Sequence, residues 1–242
     1  DIEDMEKICK AYGDLLILTG LCESKEDYLL VKAYELKNLA SRTVIADRIV
    51  ELEFMLFDKT NNEGGRANCQ DDWGTFSLMR RSQYYTWPME LLNTILVDYS
   101  ESIKNGRNVV SEKYGYMMET TAPLEYEKIK DKIPVVSDDK KAVIKAISEI
   151  QVGWMEKFAK DYPSLATNAR IIHTSEDTEY NTSYETYLRG ELSTYHDDTL
   201  SLYGRFVAEL ANKNDNLAYK IMKMTIFFYG YGSLEDAVKA IK

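Results

Sequence analysis

Apolar residues recur at three- and four-residue steps along most of this chain, the period of helices with one face turned to a core. Residues 3–19 and 25–39 read as an amphipathic pair, with Gly20 as a stop and Ser24 with Asp27 as a cap-like start. A stronger helix is predicted from Arg42 to Lys59, capped by Ser41 and striped by Ile45, Ile49, Leu52, Met55 and Leu56. Asn61, Asn62, Gly64 and Gly65 break the period. From Thr75 to Thr86 one stripe carries Phe76, Met79, Gln83 and Trp87, and another carries Ser77, Arg81 and Tyr84. Pro88 opens a helix running to Asn105 with Gly106 as terminator, Val109 to Met118 forms the next, and Thr121 with Pro123 restarts a short one. Ile133, Pro134, Ser137 and Asp138 mark the clearest interior boundary, because proline disfavours helix in the residue before it and Ser137 can cap the next helix. Beyond it come a long helix from Asp139 to Asp161, a polar loop from Pro163 to Asn181, and helices near 182–195, 197–212, 215–230 and 234–241. No stretch alternates with the two-residue period of strands, so the expected fold is an all-α helical bundle.

The order of elements repeats. Arg66 matches Arg170, Cys69 matches His173 and Asp72 matches Glu176; after a length difference, Phe76 meets Tyr184, Arg81 meets Arg189, Gln83 meets Glu191 and Trp87 meets Tyr195. These pairings predict two related halves, about 42–133 and 138–242, packed face to face about an approximate two-fold axis, because each alone would leave an apolar stripe uncovered. Residues 1–41 are expected as a helical hairpin on that body.

Composition narrows the class. A chain of 242 residues can bury a sizeable core, and 30 basic against 40 acidic residues give a net charge of −10, which argues against broad nucleic-acid binding. The apolar run around Leu15 to Leu18 is too short to span a bilayer and no cleavable leader is evident, so a cytoplasmic location without membrane contact is expected. The chain opens on Asp1, which points to a residue or segment upstream of this sequence. Cys9, Cys22 and Cys69 suggest neither a disulfide framework nor a zinc ribbon.

Candidate chemistry concentrates in the two polar loops and the helices after them. Phosphate-binding loop, dinucleotide, zincin and serine-hydrolase motifs are absent, and nothing in the sequence names a cofactor. The remaining constellation is Arg66, Gln70, Asp71, Arg81, Gln83, Arg170, Asp177 and Arg189 as ligand-binding groups, with Asp72, His173, Glu176 and Glu191 as candidates for proton transfer. Paired arginines suit bidentate capture of a carboxylate or phosphate. The structural alternative is that Asp71, Asp72, Thr75 and Ser183 are caps, Thr182 with Glu185 a capping box, and Glu185 with Arg189 a helical ion pair. A metal held by His173, Glu176 and Asp177 with His196 or Cys69 is a further option, though no metal site is assigned.

Gly64-Gly65-Arg66, Cys69-Gln70-Asp71-Asp72, Lys113-Tyr114, Met117-Met118-Glu119, His173-Thr174-Ser175-Glu176-Asp177, Thr182 to Tyr187 and Gly190-Glu191-Leu192 resemble an uncharacterised bacterial family, domain of unknown function 4125. The resemblance covers about Arg42 to the end and implies a bacterial cytosolic helical protein. Some members of that family are joined to a nucleotidyltransferase-like domain, which implies a possible partner of that type. Arg189 followed by six residues and His196 also resembles the arginine and histidine pair of helical HEPN-type ribonucleases, with both side chains then expected on one helix face. The leading expectation is a small anionic metabolite or nucleotide bound between the polar loops, with or without catalysis. The alternative is a helical adaptor that docks a protein partner.

Overall fold

The computed structural model describes residues 25–61, 65–167 and 169–241, with side chains from residue 41 onward. The helix expected at 3–19, with its Gly20 and Ser24 signals, lies outside the described residues. The chain divides into two compact units, Asp1–Val44 and Ile45–Lys242. Every described helix from Trp73 onward belongs to the second unit, and the first described helix spans the division.

All regular structure among the described residues is helical, with no strand. Helix α1 is Lys25–Asp58, α2 is Trp73–Tyr84, α3 is Met89–Lys104, α4 is Val109–Thr121 and α5 is Pro123–Ile129. Helix α6 is Asp138–Asp161, α7 the single turn Pro163–Ala166, α8 Tyr184–Thr194, α9 Asp197–Asn212, α10 Leu217–Phe228 and α11 Leu234–Ile241. Ser41 therefore lies inside α1 instead of starting a helix, since nothing between residues 39 and 42 stops the turn before it. The loop expected at 163–181 contains α7 and a 3₁₀ turn at Thr174–Glu176.

Local chemistry explains the boundaries. Asp72 accepts the Thr75 amide, Ser137 that of Lys140 and Ser183 that of Thr186, each satisfying a first-turn donor. Glu185 does not close a box with Thr182; its carboxylate accepts the Thr174 amide at 3.0 Å. The open carbonyls at the end of α1 are capped from outside, by Gln70 Nε2 on Phe57 O and Thr60 O and by Asn108 Nδ2 on Leu56 O. After α3, Gly106 turns the chain at φ 71° and the Arg107 amide reaches Ser102 O. After α9, Asn214 does the same at φ 53°, with the Asp215 amide on Leu210 O.

Helix α4 packs along α8, α2 along α10 and α3 across α9, while α6 touches α8, α9 and α10. The larger core joins Ile49, Leu56, Trp87, Leu92, Ile95, Leu192, Tyr203 and Val207. A smaller one joins Phe158, Leu165, Ala218, Ile226, Leu234 and Ala237 beneath α11. The closest approach is at Gly190 of α8, where an added Cβ would lie 2.7 Å from Met117 Cγ and 3.0 Å from Lys113 O. That contact sets α4 and α8 side by side and brings Lys113 against the turn that carries Glu191.

Candidate functional site

Four ionised side chains meet inside the larger core: Glu53 from α1, Arg80 from α2, Lys113 from α4 and Glu191 from α8, each 6% exposed or less. Two cations and two carboxylates balance, which is what burial of charge requires. The Arg80 guanidinium uses every donor it has. Its Nε donates to Glu53 Oε2 at 2.7 Å, Nη1 to Gln83 Oε1 at 2.7 Å and Glu191 Oε2 at 3.1 Å, and Nη2 to Tyr84 Oη at 2.7 Å and Glu191 Oε1 at 3.0 Å. Lys113 Nζ donates to Tyr187 Oη at 2.9 Å and lies 3.6 Å from Glu191 and 3.7 Å from Glu53. Gln83 Nε2 and Tyr195 Oη complete the shell of Glu191, both at 3.1 Å.

Burial alone would push the Glu191 carboxyl up; Arg80 and Lys113 outweigh it and hold the group at about 2. Burial likewise lowers the Arg80 pKa, but Glu191 and Glu53 raise it well above its ordinary value. Tyr84, Tyr99, Tyr195 and Tyr203 are all pushed up by burial. A quartet this closed holds four helices in one register. Its members line neither of the cavities found alongside α4 and α8.

The larger of those cavities, a cleft of about 730 Å³, has walls from α4, α5, the linker Ile133–Val136, α6 and α8. Lys130, Lys141, Lys145 and Arg189 line it against two carboxylates, Glu119 and Asp131, with Thr120, Thr186, Ser193, Tyr116 and Tyr126 between them. Each cation is paired with a neighbour one turn away on its own stretch of chain: Lys130 with Glu127 at 2.6 Å, Lys141 with Asp138 at 3.9 Å, Lys145 with Glu149 and Arg189 with Glu185 at 3.4 Å. A second hollow of about 340 Å³ adjoins it, sharing Tyr116, Pro134, Val135, Val136 and Ser193 and adding Arg107, Lys140 and His196.

Of the residues singled out from sequence, the fold brings Gln83 and Glu191 together, one from each half of the chain, around Arg80. Arg189 lines the large cleft. Asp177 stands behind the same wall: its carboxylate accepts from Thr120 and Thr186 and from the Ser183 amide, and these bonds outweigh burial and lower its pKa. Arg66 ties its own loop down, bonding Asp58, Asp71 and the Gln70 carbonyl. Asp72 caps α2, Gln70 is buried under α1, and Arg81 pairs with Asp47 at 2.8 Å beside Tyr85. Arg170 lies over the Tyr187 ring at 4.8 Å, a ring that Lys113 also approaches at 4.4 Å. His173 pairs with Glu156 at 3.1 Å and Glu176 accepts the His173 amide. Among the described residues no three His, Cys, Asp or Glu side chains converge as a metal would need.

The expectation that Arg189 and His196 share a helix face is corrected. Helix α8 stops at Thr194, Tyr195 is extended, and His196 precedes α9 as its cap.

Three of the quartet, Glu53, Arg80 and Lys113, are not among the candidate site residues, although Lys113 stands in one of the motifs that carry the family resemblance. The usable signal was phase. Glu53 falls between Ile49 and Leu56 on the apolar stripe of α1, Arg80 three residues before Gln83, and Lys113 between Val109 and Met117. A charge at a core phase of three different helices calls for a partner of opposite sign.

A helical bundle closed around a neutral buried quartet, with a cation-lined cleft beside it, is the class that fold and geometry define. The chain belongs to the family described as "Protein of unknown function (DUF4125)", which matches residues 43–239. Neither the curated proteins nor the solved structures contain a match to it. No described helix is long and apolar enough to cross a membrane.

Proposed function

We propose that this protein binds a small anionic ligand, of nucleotide size, in the cleft between α4, α5, α6 and α8. The observation that carries the reading is the lining: four cations against two carboxylates, in a chain whose net charge is −10. The volume, about 730 Å³, lies within the range of small-molecule sites. Exposed ion pairs within one helical turn contribute little, so a phosphate group can replace them at small cost. Tyr116 and Tyr126 offer ring faces, and Thr120, Thr186 and Ser193 offer hydroxyls. A cleft walled by helices from both sides of Pro134 supports this reading over that of a docking adaptor, which would call for a broad apolar patch.

We further propose that the halves are copies of one ancestral unit, so that the cleft occupies one of two equivalent positions. The separation of Gln83 and Glu191, 108 residues, also carries α3 onto α9, Asn108 onto Asn216 and Gly106 onto Asn214. Both asparagines cap the next helix and donate to a carbonyl of the preceding long helix, Leu56 O or Trp154 O. Three residues before those carbonyls stand Glu53 and Gln151, each accepting a buried tyrosine hydroxyl. The α2–α10 and α4–α8 contacts exchange under the same operation. In the loops, Gln70 and Glu176 hold equivalent places, each closing a 3₁₀ turn on the amide three residues before it, a register that replaces the expected match of Asp72 with Glu176.

Thermal unfolding with inorganic pyrophosphate and with AMP tests the binding reading. The expected result is a rise in Tm with either anion that grows with its concentration, falls with added salt and is lost in Arg189→Ser/Lys145→Ser. No rise with either anion, or one that the double variant leaves intact, would overturn it.

A further inference from the structure

One polar group in the smaller hollow stands apart from the others. Arg107 is engaged by both oxygens of Glu112, Lys140 by the Tyr195 carbonyl, Tyr116 by the Pro134 carbonyl, and the Ser193 and Thr194 hydroxyls by carbonyls of their own helix. His196 differs. Its Nδ1 lies 3.0 Å from Asp98 Oδ1, while its backbone amide donates to Asp98 Oδ2, also at 3.0 Å. One carboxylate thus grips the ring and the main chain of the same residue. Asp98 is 9% exposed on α3, and Thr199 also bonds its carboxylate. Glu101 Oε2 lies 3.9 Å from the same nitrogen, so two carboxylates favour a proton at Nδ1, which would leave Nε2 with its lone pair as the accepting nitrogen of the ring.

We infer that Asp98 and His196 form a proton-accepting dyad in the hollow that adjoins the ligand cleft, and that the ligand carries a hydroxyl as well as its anionic group. Phosphorylated sugars and polyols are the class that combines the two. The anionic group meets the cations of the large cleft, and a hydroxyl reaches Nε2 past the shared wall at Tyr116 and Ser193. In the proton transfer the O–H bond breaks, its electron pair stays on oxygen, the N–H bond forms at Nε2, and Asp98 balances the imidazolium. His196 would be the residue that touches the ligand and Asp98 the one that positions it. The inference rests on the cleft reading for the anionic end.

The chain has two histidines, so imidazole ¹⁵N spectra resolve both, with His173 as internal control. On the neutral ring, recorded at alkaline pH, the expected His196 tautomer is Nδ1–H. Asp98→Asn is combined with Glu101→Gln, which removes the second carboxylate 3.9 Å from Nδ1. The amide oxygen at position 98 is then expected to accept the His196 main-chain N–H, turning its NH₂ toward Nδ1 and flipping the ring to Nε2–H. Ribose 5-phosphate is expected to shift the Nε2 resonance of His196 and not that of His173. An Nε2–H tautomer in the natural protein, or no flip in the folded variant, overturns the dyad while leaving anion binding standing. Ribose 5-phosphate that binds without moving Nε2 overturns the ligand assignment. Absence of any binding, with the tautomer as expected, counts instead against the cleft reading and the ligand class built on it.

Discussion

Removing Arg80 is the sharpest test of the buried quartet. In Arg80→Met the side chain keeps its length and apolar stem, but five hydrogen bonds disappear: one to Glu53, one to Gln83, one to Tyr84 and two to Glu191. Lys113 is then left with two carboxylates, 3.6 and 3.7 Å away, and the interior carries a net negative charge. Breaking a buried pair from one side costs about 3–5 kcal/mol, mostly from the stranded charge. Glu191→Leu strands a cation by the same logic and should cost a similar amount. Combining the two leaves Glu53 and Lys113, which balance, so the double variant should be more stable than the sum of the singles by roughly 1–3 kcal/mol. Urea unfolding followed by circular dichroism gives all four stabilities. An Arg80→Met variant within about 1 kcal/mol of the natural protein, or a double variant at the additive value, would refute the charge-balance reasoning.

Acid stability depends on the same group. Because the folded-state pKa of Glu191 is depressed to about 2 from 4.5, its contribution is present above the ordinary carboxylate range and drains as pH falls between those values. Glu191→Gln should therefore flatten the acid limb of a stability-against-pH curve over that window; an unchanged limb contradicts the assignment. Gly190→Ala should lower stability by about 1–3 kcal/mol in thermal unfolding, because the new Cβ meets Met117 Cγ at 2.7 Å and a main-chain oxygen at 3.0 Å, outweighing the helix propensity gained. Gly106→Ala should cost about 1 kcal/mol at its φ of 71°, whereas Asn214→Gly, at φ 53°, should be neutral or stabilising. Equal effects at both positions would remove the left-handed turn as the cause.

The helices were legible because periodicity and caps are local. Pro88, Gly106, Asn108, Ser137 and Asn216 act within a few residues of where they stand, and the element boundaries track them closely. The partners of charges were not legible, because they are set by which helices meet. Arg80 and Arg81 are adjacent in sequence, yet one helical step separates a guanidinium with five buried bonds from one half-exposed on Asp47. Loop density misled in a similar way. Arg66, Asp71 and Asp72 have the charge density of a binding loop, but in the fold they fasten that loop to the end of α1 and start α2. The cations of the cleft, Lys130, Lys141 and Lys145, look like ordinary helical surface in sequence, and only the linker Ile133–Val136 brings them round one cleft with Arg189.

The quartet also orders events during synthesis. Glu53, Arg80 and Lys113 emerge from the ribosome first and together carry a surplus positive charge, which water tolerates and a closed interior does not. The carboxylate that neutralises them is residue 191, well into the second half of the chain. The charge balance therefore predicts that a fragment ending before α8 keeps these side chains in water, with closure of the amino-terminal helices around them waiting on Glu191.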